Sequence, residues 1–132
     1  MSDFSKIDRD EIAVQFVRVP DGLEHIRRAW DELEAVVPPR GRHFYGAFDP
    51  VAEDYRACVE VRVGDELAPG LESGTLPGGR YLRARLRGDP PAVYEQIGPT
   101  FDELTKQVRP DTSRPSLEHY RRHDEIDLLL PI

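Results

Sequence analysis

A single cysteine, Cys58, is the only thiol in the 132-residue chain, so no internal disulfide can form. This composition is typical of a reducing compartment, and we expect the cytoplasm. No apolar run approaches the roughly 20 residues that a bilayer-spanning helix needs. Residues 1–6 also lack the apolar core of a signal peptide. These absences exclude a disulfide-stabilised scaffold and predict a protein without a membrane segment.

Basic residues are scarcer than acidic ones. The chain has 18 Lys and Arg against 25 Asp and Glu, a formal net charge of −7 at pH 7. Because phosphate contacts need clustered Lys and Arg, we expect no direct nucleic-acid binding. Hydrophobic residues make up 39% and charged residues 33% of the sequence, which is typical of a soluble globular protein. The length predicts one domain over 1–132 with its own core and no DNA-binding domain.

Two stretches of the chain echo each other. Residues 30–33 (WDEL) correspond to residues 101–104 (FDEL), and the same offset of 71 positions relates Pro39 to Pro110. An offset of about half the chain indicates a duplicated unit with pseudo-twofold symmetry. The seam between two fused modules is a favoured place for a small-molecule pocket. The alternative is a chance similarity between two acidic amphipathic helices.

Alternating apolar residues predict three strands in the first half, over residues 11–19, 43–48 and 55–63. A helix is predicted after the first strand, with Asp21 as its N-cap and Glu24 completing a capping-box pattern. Pro38-Pro39 ends this helix, since the second proline disfavours helical geometry for the residue before it. The apolar stripe of the helix consists of Leu23, Ile26, Trp30, Leu33 and Val37.

The second half repeats this order, with strands predicted over residues 80–87, 116–121 and 125–131. Asp89-Pro90 is a plausible N-cap followed by proline at the first helical position. Gly98-Pro99 lies inside the helical pattern, so either the helix kinks there or a short turn precedes the main helix. The apolar stripe consists of Val93, Ile97, Phe101, Leu104 and Val108.

These elements predict an α+β fold made of duplicated β-α-β-β modules, about 11–63 and 76–132. The modules would form one antiparallel sheet with both helices on one face. The turn signal Pro77-Gly78-Gly79 marks the start of the second module.

Four segments carry a resemblance to a known family. They are Asp54–Val61 (DYRACVEV), Leu76–Tyr81 (LPGGRY), Leu117–Tyr120 (LEHY) and Asp124–Ile132 (DEIDLLLPI). In their order and spacing around the two helices, they resemble the GyrI-like small-molecule-binding domain, also called the bacterial transcription-activator effector-binding domain. The resemblance runs from about Ile12 to Ile132, and the family's two fused strand-helix-strand-strand modules agree with the predicted elements.

The resemblance implies a groove between the modules that binds amphipathic, often cationic and aromatic compounds. It places a glutamate on the floor of the groove, which corresponds to Glu118, and aromatic side chains on its walls. Many relatives carry a helix-turn-helix segment in addition, and this chain resembles the stand-alone type because Ile12 already starts the first predicted strand. The candidate wall residues are Tyr120, Trp30, Tyr45 and Tyr81.

Glu118 also has a physical case of its own. Strand alternation puts it on one face with Tyr120, while Leu117 and His119 point the other way. A carboxylate in an apolar cleft is costly to desolvate, and a cationic ligand or a raised pKa relieves that cost. The alternative is a solvated glutamate paired with an arginine. If Arg83 or Arg85 entered the groove, the preference would move toward anionic or zwitterionic ligands.

Other chemistry-bearing residues have simpler interpretations. Trp30, Tyr81 and Tyr120 are also typical of core or cross-strand packing. Cys58 is interpreted as a small strand residue, since no helix N-terminus or adjacent base lowers its pKa. His119 and His123 have a spacing that suits a helix rather than a strand, and no third ligand is evident. We therefore expect no metal and no cofactor.

Three functions compete at this stage. The first is a stand-alone binding protein for amphipathic, aromatic and cationic compounds, acting by sequestration or ligand sensing. The second, implied by some stand-alone relatives, is a hydrolase of cyclopropane-containing electrophilic natural products, with Glu118 as general base and Tyr120 orienting substrate. The third is a gyrase-inhibitor-like module that docks on a protein partner. The sequence leaves the ligand, any turnover and the oligomeric state open.

Overall fold

The computed structural model describes residues 4–38 and 41–132. Eight strands, two α-helices and one 3₁₀ helix follow one another in these ranges. They are β1 (Phe4–Arg9), β2 (Ile12–Pro20), α1 (Leu23–Val36), β3 (Phe44–Asp49), β4 (Asp54–Glu60), β5 (Glu72–Leu76), β6 (Gly79–Arg87), the 3₁₀ helix (Ala92–Gln96), α2 (Ile97–Gln107), β7 (Ser116–Arg122) and β8 (Glu125–Pro131).

All eight strands form one antiparallel sheet in the order β1-β6-β8-β7-β3-β4-β2-β5. The modules β2-α1-β3-β4 and β6-α2-β7-β8 meet at the β3·β7 pair, which we call the seam. Outward from the seam, each module places its second strand first (β3 or β7), then its third (β4 or β8), then its first (β2 or β6), so the two halves of the sheet have the same order. Leu33 and Leu104, which lie at equivalent places in the sequence echo, are both fully buried. The predicted α+β fold of two β-α-β-β modules is therefore confirmed.

Both helices cover one face of the sheet. Helix α1 packs on β2 and β4, and α2 packs on β6 and β8. Apart from Leu23, which is 66% exposed, the predicted stripes pack against alternate strand residues, as the 3.6-residue and two-residue periods require. The core under α1 includes Val17, Val19, Ala29, Leu33, Tyr55, Ala57 and Val59, and the core under α2 includes Leu82, Ala84, Val93, Leu104, Ile126, Leu128 and Leu130.

A third apolar core lies on the face without helices. Residues 10–11 link β1 to β2 and residues 77–78 link β5 to β6, although these strands lie at opposite ends of the sheet order. Such short links require the sheet to curl until its ends meet. A Cβ on Gly78 would lie 2.7 Å from the Arg9 carbonyl oxygen, so the two links touch. The concave face encloses Val14, Phe16, Tyr45, Ala47, Cys58, Leu76, Tyr81, Leu117 and Leu129.

The ends of the helices differ from the sequence prediction. Helix α1 begins at Leu23, and the predicted cap at Asp21 is wrong, because Gly22 is the N-cap and no side chain caps the helix. Gly22 has φ 139°, a conformation that glycine adopts readily and aspartate does not. Likewise, Pro91 rather than Asp89 precedes the 3₁₀ helix. Pro39, part of the predicted helix stop, lies outside the described residues.

The strands also differ in number and length. The first strand is β1, not the strand at Ile12, and β5 was not predicted. The strand predicted over 55–63 ends at Glu60. Its register with β3 extends to Val59 and its register with β2 to Glu60. Val63 is fully exposed. At Gly98-Pro99, the 3₁₀ helix precedes α2, so the short-turn alternative is the observed one. No helix in the described residues has the length and apolar character needed to cross a membrane.

Candidate functional site

The seam places a glutamate and a glycine directly opposite each other. Glu118 is the third residue of β7 and Gly46 is the third residue of β3, and the two are register partners. Alternation along β7 directs Glu118 and Tyr120 to the helix face, while Leu117 and His119 lie on the concave face. Glu118 is partly buried at the centre of this strand pair. The two modules therefore meet around one carboxylate.

Two tyrosines hold one oxygen of this carboxylate. The hydroxyls of Tyr55 and Tyr120 donate hydrogen bonds of 2.8 and 2.7 Å to Oε1 of Glu118. The Trp30 indole N–H donates to the Tyr55 hydroxyl at 3.1 Å, which links helix α1 to the carboxylate. Oε2 accepts no hydrogen bond from residues 4–38 or 41–132 and is left free to accept one. One oxygen is thus fixed and the other is open.

A cluster of aromatic rings extends from Tyr120, which contacts the carboxylate. Trp30 and Tyr120 contact each other edge to face, with ring centroids 5.4 Å apart and an interplanar angle of 80°. Phe44 lies 6.3 Å from Trp30, and Tyr94 of the 3₁₀ helix lies 6.4 Å from Tyr120. Tyr94 is 47% exposed, so the wall opens to solvent on this side. Both modules contribute rings, with Trp30 and Phe44 from the first and Tyr94 and Tyr120 from the second.

Burial raises the pKa of Glu118, and the Asp21 carboxylate raises it further, while hydrogen bonds from the two tyrosines lower it. Burial and the Glu118 charge together hold the pKa values of Tyr55 and Tyr120 well above their usual range. Both hydroxyls therefore stay protonated at neutral pH and act as donors. Within the part of the chain that the structure describes, hydrogen bonds rather than a cation stabilise the charge on Glu118.

None of the arginines that the structure describes neutralises Glu118. Arg83 and Arg85 alternate with Leu82 and Ala84 along β6, which puts them on the opposite face. Arg85 instead forms a bidentate ion pair with Asp127, at 2.7 and 3.1 Å. Among the described residues, Glu118 has no ion-pair partner within 4.0 Å. The alternative of a strand glutamate paired with arginine therefore has no support in the geometry.

Of the five sequence-predicted site residues, the structure brings three together: Trp30, Glu118 and Tyr120. Tyr45 and Tyr81 lie in the core of the concave face instead. The Tyr45 ring stacks on His119 at 4.4 Å, and the Tyr81 hydroxyl donates to the Pro77 carbonyl at 2.6 Å. These two tyrosines do not join Glu118, because the register of β3 and β6 turns them to the other side of the sheet.

Two further candidates have structural roles. Cys58 is fully buried, and burial raises the pKa of its thiol to about 12, so no thiolate forms at neutral pH. His119 accepts a hydrogen bond from Arg9 at Nδ1, and its Nε2 lies 3.1 Å from Nδ1 of His43. Within residues 4–38 and 41–132, no cluster of three or more His, Cys, Asp or Glu side chains could hold a metal ion.

Sequence reasoning missed Tyr55, Phe44 and Tyr94. Tyr55 shares a strand face with Ala57 and Val59, which alternation shows, and the structure places this face under α1. Phe44 joins the site through its register with Tyr120 across the seam, which the sequence does not contain. Tyr94 precedes α2 in a 3₁₀ turn, where periodicity gives no direction.

Two cavities of about 130 Å³ lie away from Glu118. The first, beside the C-terminal end of α1, contains Arg42 and Asp65, which already form an ion pair with each other. The second lies near Ala47 and Pro115 at one end of the seam. The candidate site is at Glu118 because, among residues 4–38 and 41–132, its carboxylate has no counterion within 4.0 Å, unlike the charged pair in the first cavity.

Solved structures share the fold over nearly the whole chain. An integron cassette protein from the mobile metagenome of Vibrio cholerae is 14% identical, with 97% of this chain and 94% of that chain covered and a TM-score of 0.75. SAV2435, solved bound to tetraphenylphosphonium, is 14% identical, with 98% and 93% covered and a TM-score of 0.68. A hydrolase from Listeria innocua is 14% identical, with 97% and 90% covered and a TM-score of 0.53.

The comparison with curated proteins finds no relative. A family model covers most of the chain: Cass2, integron-associated effector binding protein, matches residues 19–132. This range contains the second module, the seam and the first module from the end of β2 onward, together with Tyr55 and Tyr120, which donate hydrogen bonds to Glu118. The chain therefore belongs to the Cass2 family of integron-associated effector-binding proteins, which confirms the GyrI-like effector-binding resemblance.

Proposed function

We propose that this protein binds amphipathic, aromatic cations in the groove over the seam, with Glu118 as the charge partner. The observation that carries the proposal is a partly buried carboxylate with no basic partner among the described residues, one oxygen held by two tyrosines and the other open. Sequestration and ligand sensing are two biological uses of such binding.

The chemistry of the groove favours a cation. An unpaired carboxylate near apolar rings carries a desolvation cost that a ligand cation relieves. Each aromatic face adds roughly 0.5–2 kcal/mol of cation–π attraction. The Trp30 N–H and the hydroxyls of Tyr55 and Tyr120 already donate inside the site, so they offer nothing to an anion. The complex of the structural relative SAV2435 with tetraphenylphosphonium supports the same ligand class.

The test compares a cation with a neutral molecule of similar shape. Tetraphenylphosphonium and triphenylphosphine oxide are titrated into the protein, and binding is read from the fluorescence of its single tryptophan, Trp30. Glu118→Gln should lower the affinity for the cation by about 10- to 100-fold, as expected for loss of an interaction worth about 1.5–3 kcal/mol. The affinity for the neutral compound should change little.

The matched control is Glu103→Gln, which removes an exposed carboxylate from α2. It should leave both affinities unchanged, which shows that overall charge is not the cause. Equal binding of the cation by wild type and Glu118→Gln would contradict the proposal, as would an equal loss for both compounds.

A hydrolase is the second candidate, favoured by the raised pKa of Glu118 and its open oxygen. Glu118 would accept a proton from water as the water oxygen attacks an electrophilic ring carbon, such as that of a strained cyclopropane, and the departing carbon would receive the proton. Mass spectrometry of a cyclopropane-containing substrate tests this: Glu118→Gln should abolish an increase of one water in product mass. A gyrase-inhibitor-like interaction stays a prediction.

A further inference from the structure

A glycine lies where the Glu118 carboxylate needs space. A Cβ built on Gly46 would lie 2.1 Å from the Tyr55 hydroxyl oxygen and 2.3 Å from Oε1 of Glu118. Real Cβ atoms essentially never approach other heavy atoms closer than 3.0 Å. Any side chain at position 46 is therefore incompatible with the observed positions of these two polar groups.

The backbone gives no other reason for this glycine. Gly46 is a regular member of β3 and is not among the residues with positive φ, unlike Gly41 or Gly70. Glycine weakens a strand interior relative to residues with side chains. The absence of a side chain at position 46 thus serves the polar groups that face it, not the strand.

Resting on the function proposed above, we propose that Gly46 is a positioning residue that sets the charge preference of the groove. Its missing side chain lets Oε1 of Glu118 receive both tyrosine hydroxyls, and this leaves Oε2 as the acceptor for a ligand cation. Tyr55 is 3% exposed and is held by Trp30. Because Tyr55 cannot yield, a methyl group at position 46 displaces the carboxylate from between the tyrosines.

The experiment compares Gly46→Ala with Gly98→Ala, whose added Cβ meets nothing within 4 Å. Tetraphenylphosphonium and triphenylphosphine oxide are the probes. Gly46→Ala should lower the affinity for the cation roughly tenfold or more while the neutral probe changes less than about threefold, because a charge-assisted interaction is lost and the aromatic walls remain. Gly98→Ala should leave both affinities unchanged.

Selectivity distinguishes positioning from general damage to the fold. An equal loss for both probes, or none, overturns the role of Gly46. If wild type prefers the cation and Gly46→Ala keeps that preference, this inference fails while the proposed function stands. If wild type binds neither probe, the proposed function itself fails.

A thermal measurement covers the case in which Gly46→Ala folds poorly. Glu118→Ala removes one of the two groups that the new methyl meets, so it should relieve part of the strain. The loss of Tm caused by Gly46→Ala should be reduced by roughly half in the Glu118→Ala background, as coupled neighbours require. An equal or larger loss in that background, including failure of the double variant to fold, overturns the inference.

Discussion

Acid should destabilise the protein through His119, a buried neutral histidine on the concave face. Arg9 can only donate, so Nδ1 of His119 is the acceptor and its proton lies on Nε2, toward His43. Burial, with the charges of Arg9, His43 and Arg121, lowers the pKa of His119 from 6.5 to about 3. A proton on Nδ1 would face the Arg9 guanidinium inside the core.

The size of the effect follows from proton linkage. Between pH 6.5 and pH 3, the unfolded chain binds a proton at this position that the native state excludes. Stability is thus full above pH 6.5 and falls by about 1.4 kcal/mol per pH unit below it. The loss from this residue alone should reach roughly 3 kcal/mol at pH 4.

Urea denaturation of wild type and His119→Phe between pH 7 and pH 4 measures this contribution. Phenylalanine preserves the stacking on Tyr45 but does not titrate, so the stability gap between the two proteins should change by about 3 kcal/mol over this range. Carboxylates such as Asp65, with a pKa of about 2, titrate in both proteins and cancel. His123→Phe, in the exposed turn between β7 and β8, is the control. A gap that stays constant with pH would refute the reasoning.

Two further predictions concern polar contacts. Tyr120→Phe removes the hydroxyl that donates a 2.7 Å hydrogen bond to Glu118, which raises the pKa of that carboxyl. In Trp30 fluorescence titrations, the affinity for the cation at pH 7 should fall by roughly threefold to tenfold, and its decrease in acid should begin at a higher pH than in wild type. The control Tyr94→Phe should change neither quantity. Arg85→Met removes the bidentate partner of Asp127, which is 2% exposed. It should lower the free energy of unfolding measured in urea by about 2–4 kcal/mol. Arg80→Met, which breaks the exposed pair with Asp8, should lower it by under about 1 kcal/mol. A cation affinity whose decrease in acid begins at the same pH as in wild type would contradict the first prediction. Equal losses in the free energy of unfolding for the two arginine variants would contradict the second.

Periodicity was sufficient to predict the long elements, namely the helices with one apolar face and the strands that pair on both sides. The stripes of α1 and α2 and the alternation in β7 follow from the sequence; they put Trp30 on the apolar side of α1 and put Glu118 and Tyr120 together on one face of β7. The strands β1 and β5 were missed because they form the ends of the sheet order and pair on one side only. Their sequences, FSKIDR and ESGTL, contain few apolar residues, so the alternation that marks a strand is weak.

The placement of Tyr45 and Tyr81 shows the limit of alternation. The pattern establishes that Tyr81 lies opposite Leu82 and Ala84, but not which of the two faces carries the helices. For Tyr45, the decisive fact is that its neighbour Gly46 pairs with Glu118 across the seam, which turns Tyr45 to the concave side. Such registers arise from contacts between residues far apart in the chain, and local sequence does not encode them.

The pairing of Gly46 with Glu118 explains what fusion of two modules makes possible. A homodimer of identical modules must present the same residue on both sides of its twofold axis. Two glutamates there would repel each other, and two glycines would carry no charge. Because both modules belong to one chain, the axis can hold one carboxylate and the space for it. A nearly symmetrical groove can thereby carry a single negative charge at its centre.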